Sequence, residues 1–495
     1  MDNKKFMINS CFYFLSSILT QIINLILIPM YTRNITTSEF GQYNLVSSLQ
    51  SLLSIFITLG IFSGFCRFFN EIEDKNKLKN VTLTFLILWG IICCFIFGYL
   101  LSSTIANVAF KDDILGDYYI KYIIINSIIS GLISIYTCHY SMLCKAKKVC
   151  IINLSQILLA LCFTYYYLIV VKSGVLGIYE AQLISFGIVF FILFILDIKN
   201  YRPIVSINDL KKMLSYGIGL APGDISAWIL NLIDRYFIVG MLNLSAVAVY
   251  SMGYKIGMLI EPLFLKPFSS AFTPLKFSIY KESNGKERIR KIFNYFNVAG
   301  WFIILGLSIF SDIAIKILST SEYDQSYKLV AIIAFSYYLV GLATFYALGL
   351  HIANKTFINS LVLIISAIVN ILFNYLLIPK IGIYGAAFAT CIAYLITNVL
   401  YYLTGRKYYN LGINLLEPYK CGVIFIVLYS IYILYKLNIN NIVVEFFLNG
   451  ILCIIYIVLC ITFKIISYDN VKRVIDIIKK KIHIKLNSKR DRVYE

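Results

Sequence analysis

Histidine is almost missing from this sequence: His139, His351 and His483 are the only three in 495 residues, too scattered to form a metal site or a catalytic pair. The twelve cysteines include no CxxC pair or other metal-ligand spacing, and the adjacent Cys93 and Cys94 fall inside an apolar run as small core residues. Charged residues make up only 14% of the chain, where a soluble domain has about 25%. There is no glycine-rich phosphate loop, no carboxylate pair in a polar segment and no nucleophile elbow. The longest connections on one face, around 102–121 and 311–329, have about 20 residues each and cannot hold a folded domain. The usual soluble-enzyme chemistries are therefore excluded, and no catalytic residue, cofactor or metal centre is expected.

What fills the chain instead is apolar: 60% of its residues are hydrophobic. Tyr, Ile, Asn and Lys are so common that coding bias accounts for part of it, and single tyrosines are given no meaning for their number. Runs long enough to cross about 30 Å of hydrocarbon at about 1.5 Å per residue fall near 10–31, 45–65, 81–101, 122–143, 150–171, 176–196, 214–238, 246–264, 293–310, 330–350, 357–377, 383–403, 421–435 and 441–465. The reading is an all-α integral membrane protein with about fourteen transmembrane helices. The basic start MDNKK leads straight into a full-length span without a small-residue cleavage site, so the first helix is expected to be retained.

The connections on the side of the termini hold 34 Lys and Arg, and those on the other side hold 8. By the positive-inside rule both termini are cytoplasmic and the protein is a multi-pass resident of the cytoplasmic (inner) membrane. The net charge of +19 is then mostly a cytoplasmic surface facing anionic lipid, strongest in the final KRVIDIIKKKIHIKLNSKRDR. No aromatic-basic platform accompanies it, so nucleic acid is not an expected partner.

Shifting the chain by 207 residues lays Asn24 on Asn231, Ser17 on Asp224 and Gln21 on Trp228; a shift of 208 lays Lys147 on Lys355 and GVLG (174–177) on GIYG (382–385). The matches fall on polar and glycine positions rather than on Ile and Leu. They predict two six-helix lobes, 1–205 and 206–410, then a helix pair at 411–466 and a basic tail at 467–495. Each lobe has an even number of spans, so the repeat is parallel and the lobes wall a central cleft.

At 100° per residue, Asp224, Trp228, Asn231 and Arg235 fall within about 60° of arc on the seventh span. Tyr13, Ser17, Thr20, Asn24 and Tyr31 form a matching stripe on the first. Lipid penalises such stripes, so they are expected to face a wet cleft, with interhelical hydrogen bonding in a dry bundle as the bland alternative. Asp224 and Lys255 come out near the midplane, Arg33, Asp234 and Arg235 near the outer mouth.

The segments IPMYTRNITTSEFGQYNLVSSL (28–49), YGIGLAP (216–222), NLIDRYFIVG (231–240), VYSMGYKI (249–256) and GIYGAAFAT (382–390), in this order and spacing, resemble the oligosaccharide flippases of the multidrug/oligosaccharidyl-lipid/polysaccharide exporter superfamily. The resemblance implies alternating access by a two-lobed protein that moves a polyprenyl-pyrophosphate-linked oligosaccharide to the outer leaflet for O-antigen, capsule or related glycan. A polysaccharide polymerase and other assembly proteins would be partners. Arg33, Asn24, Trp228, Asn231, Arg235 and Tyr254 are the candidate substrate-binding residues, offering cationic points for the pyrophosphate and polar or aromatic groups for the sugars. Asp224 either neutralises Lys255 or takes a proton or Na⁺ as coupling ion. Two other readings stay open: an ion-coupled exporter of small amphipathic compounds from the same superfamily, and a membrane-embedded polymerase or glycosyltransferase. The helix pair after 410 speaks against the first, and the short loops speak against the second.

Overall fold

In a computed structural model the described residues are 3–110, 115–413, 416–439, 441–463 and 465; the basic tail expected at 467–495 lies outside them. Among the described residues all regular structure is helical. The helices are α1 (Asn3–Asn34), α2 (Thr37–Thr58, continuing as Ile61–Phe68), α3 (Lys75–Phe95), α4 (Gly116–Met142), α5 (Ala146–Tyr165), α6 (Gly174–Asp197) and α7 (Ile207–Leu232, continuing as Asp234–Met241). They continue with α8 (Leu244–Gly257, then Glu261–Leu265 and Lys266–Ile279), α9 (Gly285–Leu318), α10 (Tyr327–Tyr346), α11 (Thr356–Ile381), α12 (Ile383–Gly405), α13 (Lys420–Lys436) and α14 (Ile442–Thr462).

Ten of these are long and apolar enough to cross a membrane, or eleven if the two parts of α2 form one bent span. Among the described residues α7, α8 and α13 do not meet that measure, so the expected fourteen spans are not reached; the fourteen labels join broken segments and leave out the short helices Ser102–Phe110 and Leu348–Ile352. The reason is local. The seventh and eighth carry charge and breaks, and α13 has 17 residues. The exposed side chains of Ile91, Leu196 and Phe447 fit a lipid-facing surface.

Sequence chemistry sets the starts and breaks. Thr36 and Glu39 form a reciprocal cap at the start of α2, while Asn243 and Asn441 accept backbone N–H bonds at the starts of α8 and α14. Leu59 and Gly60 both adopt positive φ, 47° and 64°, and α2 bends there by 49°. In α8 the helix gives way just before Pro262, which has no N–H to donate, and resumes as a π turn over Glu261–Leu265.

The buried apolar side chains gather in three clusters. One joins Leu27, Phe40, Ile120 and Tyr179 to Ala248, Met252 and Ile256 of α8, and another joins Phe65, Leu86 and Ile133 to Met213 of α7. The third runs from Leu230 to Cys460. The helix pair α13 and α14 packs on α9: Trp301 Nε1 donates to the Pro418 carbonyl at 2.8 Å, Asn449 Nδ2 to Ile309 at 2.8 Å and the Tyr456 hydroxyl to Val298 at 3.1 Å. Lys436 bridges the buried carboxylates of Asp312 and Glu445.

Helices α1 and α2 meet α8 and α9 tightly on the side away from the N-terminus, here called the far side. A Cβ on Gly41 of α2 would lie 1.9 Å from the Leu244 carbonyl oxygen of α8, so only glycine permits that approach. Thr32 Oγ1 and Arg33 Nη2 donate to the last carbonyls of α9, Leu318 and Ile317, each at 3.1 Å. Phe40 meets Tyr323 edge to face at 5.6 Å. On the near side α2 and α7 are also in contact, through Gly60 and Gly217. The near halves of α1 and α8, by contrast, leave Leu15, Ser17, Ile18 and Ile22 exposed on one and Lys266, Pro267, Ser270 and Ala271 exposed on the other.

Candidate substrate cavity

Where α8 breaks beside Pro262 and α7 is interrupted at Ile233, a cavity of 650 Å³ lies between them and α10 and α12. Its walls carry Asn231 and Arg235 from α7, Tyr254, Lys255, Glu261 and Ser270 from α8, Tyr337 and Thr344 from α10, and Tyr394 from α12. A smaller cavity of 210 Å³ adjoins it, lined by Gln21, Asn24 and Tyr31 of α1 and Tyr43 of α2. Lys255 and Met258 stand in the walls of both, so the two spaces meet at that turn of α8.

Charge in the cavity is arranged asymmetrically. The Arg235 guanidinium donates from Nη1 to the Asp234 carboxylate at 3.1 Å and to the Asn231 carbonyl at 2.9 Å, and lies 4.8 Å from the Tyr254 ring centroid. The other Asp234 oxygen accepts from the Tyr250 hydroxyl. Asp234 is 1% exposed, so its charge is held behind Arg235 rather than offered to the cavity. Lys255 has no acidic partner among the described residues; its ammonium sits over the rings of Phe40 at 4.7 Å and Tyr43 at 5.3 Å. Glu261 does line the cavity but is paired with Lys266 at 3.3 Å. The set of Asp234, Arg235, Lys255, Glu261 and Lys266 therefore has one positive charge in excess.

Below Arg235 the Asn231 amide oxygen faces three tyrosine hydroxyls, Tyr254 at 3.2 Å, Tyr337 at 3.3 Å and Tyr394 at 3.1 Å. The Tyr254 and Tyr337 hydroxyls are 3.0 Å apart. Such a wall presents ring edges and faces plus exchangeable hydroxyls, a surface suited to hydroxyl-rich rings.

Of the residues singled out by sequence, Asn24, Asn231, Arg235, Tyr254 and Lys255 line this paired cavity. Three others stand elsewhere. Trp228 is buried against α2, its Nε1 donating to the Ser48 carbonyl at 2.9 Å. Arg33 is spent on the end of α9 at the far side. Asp224 is exposed on α7 and makes no ion pair with Lys255: the lysine is turned to the α2 aromatics, and the buried carboxylate near the cavity is Asp234. Tyr337 and Tyr394 were missed because tyrosine is everywhere in the chain. A signal existed on α12, where Thr390, Tyr394, Thr397, Asn398 and Tyr401 recur at helical spacing and are all buried.

A model of the polysaccharide biosynthesis protein family matches residues 30–328, more than half of the chain. The chain belongs to that family. This polysaccharide biosynthesis protein is a multi-pass membrane protein, and over 95% of its length it is similar to the uncharacterized membrane protein MJ1068 of Methanocaldococcus jannaschii, 22% identical and covering 97% of that protein. Over 200 residues, 40% of this chain and 42% of the relative, it is 22% identical to the probable low-salt glycan biosynthesis flippase Agl15 of Haloferax volcanii. In fold it is similar to the lipid II flippase MurJ in an inward closed conformation, with a TM-score of 0.69 at 14% identity over 93% of this chain and 100% of that one. It is also similar to an inward-facing multidrug resistance MATE family transporter of the MOP superfamily, with a TM-score of 0.65 at 14% identity over 79% and 95% of the two chains.

Proposed function

We propose that this polysaccharide biosynthesis protein is a flippase that carries a polyprenyl-pyrophosphate-linked oligosaccharide across the membrane by alternating access. The observation that carries this reading is the pair of cations, Arg235 and Lys255, in one cavity walled by Asn231 and three tyrosines. An excess positive charge inside a membrane suits an anionic head group, and the tyrosine wall suits sugars. The family match and the similarity to proteins named as flippases point the same way. The near side is read as cytoplasmic from the basic residues of its connections, so the cavity receives cargo there, and an inside-negative potential favours export of an anion by about 2.3 kcal/mol per charge per 100 mV. Asp224, exposed on α7, is the proposed site for a proton or Na⁺. The basic near-side surface is proposed to face anionic lipid, and a polysaccharide polymerase to receive the product.

In cells whose surface glycan depends on this chain, Lys255→Gln is expected to lower that glycan at least about tenfold, the scale of one lost charged contact. Protein should stay in the membrane while the lipid-linked intermediate accumulates on the cytoplasmic leaflet. Normal glycan without accumulation would sink the reading. Orientation has its own test: in a background without native cysteines, Asn438→Cys, in the far-side connection between α13 and α14, should react with an impermeant thiol reagent in intact cells, and Asn284→Cys should not. Labelling of residue 284 without lysis would reverse the orientation.

A further inference from the structure

The Lys255 ammonium, 4.7 Å from the centroid of Phe40 and 5.3 Å from that of Tyr43, is a charge from the second lobe seated on aromatic faces of the first. Its position is unusual in two respects. Lys255 lines both halves of the cavity, where an anion would be held. One of the rings that seat it also belongs to the far-side closure: Phe40 stands edge-on to Tyr323 at 5.6 Å, one residue before the Gly41 contact with Leu244, while Tyr43 beside it packs on Tyr31 of α1 at 5.0 Å.

We infer that Lys255 couples cargo to gating: the pyrophosphate of the cargo draws the Lys255 ammonium off Phe40 and Tyr43, and the loss of that seat weakens the far-side closure so that the cavity opens outward. The inference rests on the proposed anionic cargo and adds how its arrival is transmitted. The direction follows from relative strengths. A cation on ring faces is held by the quadrupole alone, whereas an ammonium beside a phosphate gains charge-assisted hydrogen bonds to oxygen, roughly twice as strong as neutral ones. An anion bound at Lys255 therefore competes with the rings for the same ammonium. The closed far side keeps the ammonium on the rings and the open far side does not need to, so anion binding and opening favour each other reciprocally. Arg235 cannot play this part, because its guanidinium is tied to Asp234 and Asn231 within its own helix and Tyr254 of the same lobe.

The test uses full-length protein in lipid nanodiscs, with the native cysteines replaced and spin labels at Ser38 and Ser245, exposed positions on opposite lobes at the far ends of α2 and α8. The distance distribution gives the ratio of open to closed far side, and calorimetry gives anion binding. Inorganic pyrophosphate and polyprenyl pyrophosphate are added in separate arms. Both should raise the open fraction in the wild type, the polyprenyl form at lower concentration. In Lys255→Met neither should change it. Because Phe40→Leu also removes packing on Tyr323, its effect is read as a double-mutant cycle. Phe40→Leu should raise the open-to-closed ratio about threefold to thirtyfold more with Lys255 present than in the Lys255→Met background. Equal effects in the two backgrounds would overturn the latch and reduce Phe40 to packing. Binding of pyrophosphate without any change in distance would overturn the coupling while sparing the anionic cargo. Absence of binding in both arms would overturn both, and a response to the inorganic ion alone would remove the cargo as its source.

Discussion

Arg235→Ala is expected to be far more damaging to the folded protein than Asp234→Asn, although both break the same ion pair. Removing the arginine leaves the Asp234 carboxylate, 1% exposed, with the Tyr250 hydroxyl as its main remaining partner. An uncompensated buried charge of this kind destabilises by roughly 3–5 kcal/mol. Removing the carboxylate leaves the Arg235 guanidinium, 6% exposed but at the wall of the 650 Å³ cavity and still bonded to the Asn231 carbonyl and set on the Tyr254 ring, so the loss should be smaller, nearer 1–2 kcal/mol, as for one charged hydrogen bond. The double change Asp234→Asn with Arg235→Ala removes both charges and should restore membrane abundance toward wild type while export stays low. Melting temperature in detergent and lipid-linked glycan export, measured on the two singles and the double, give the result. Additive losses would mean that the pair is not a unit, and wild-type export in the double would remove Arg235 from the cargo site.

The second large effect is expected from a single glycine. Gly41→Val would put a Cβ 1.9 Å from the Leu244 carbonyl oxygen, a backbone atom that cannot rotate away, so α2 and α8 must separate at the far side. Overpacking of this sort commonly disfavours a state by 1–3 kcal/mol and occasionally more. Two conformations of a transporter differ by only a few kcal/mol, so that is enough to reverse the preference for far-side closure. A variant held open on the far side cannot reload from the near side, and export should fall by one to two orders of magnitude. Distances between labels at Ser38 and Ser245 should lengthen in the variant without ligand. An unchanged distance together with normal export would show that the contact of α2 with α8 is not the gate.

Much of the fold was legible because lipid imposes a simple rule on sequence: apolar runs of the right length, with basic residues collecting on one side of them. The seventh and eighth segments broke that rule, through Pro222, Pro262 and their charges, and these are the helices that wall the cavity. The site was legible only in part. Wheel geometry brought Asn231 and Arg235 to the cavity correctly because they lie within one helical turn of each other. It did not place Trp228 and Asp224, since a wheel ranks polar faces and cannot say which neighbour covers each turn: Trp228 is taken by the Ser48 carbonyl of α2, and Asp224 stays exposed. Lys255 was found, but not its partners. Periodicity marks a lysine as costly in lipid and cannot say whether a carboxylate or a ring face receives it. Asn24 could be placed by the repeat, whereas the tyrosines of α10 and α12 converge on Asn231 only through tertiary packing.

The central claim is that this cavity carries a lipid-linked, pyrophosphate-bearing oligosaccharide from one leaflet to the other. Its most direct test is reconstitution of the purified chain into liposomes with a fluorescent polyprenyl-pyrophosphate-linked oligosaccharide, following exposure of the label to a membrane-impermeant quencher or lectin. The wild type should move the lipid between leaflets, Lys255→Met should slow it at least about tenfold, and a neutral polyprenyl-linked glycan without phosphate should be a poor cargo. Transport of a small amphipathic cation, with no movement of the lipid-linked glycan, would contradict the account and leave the exporter reading in its place.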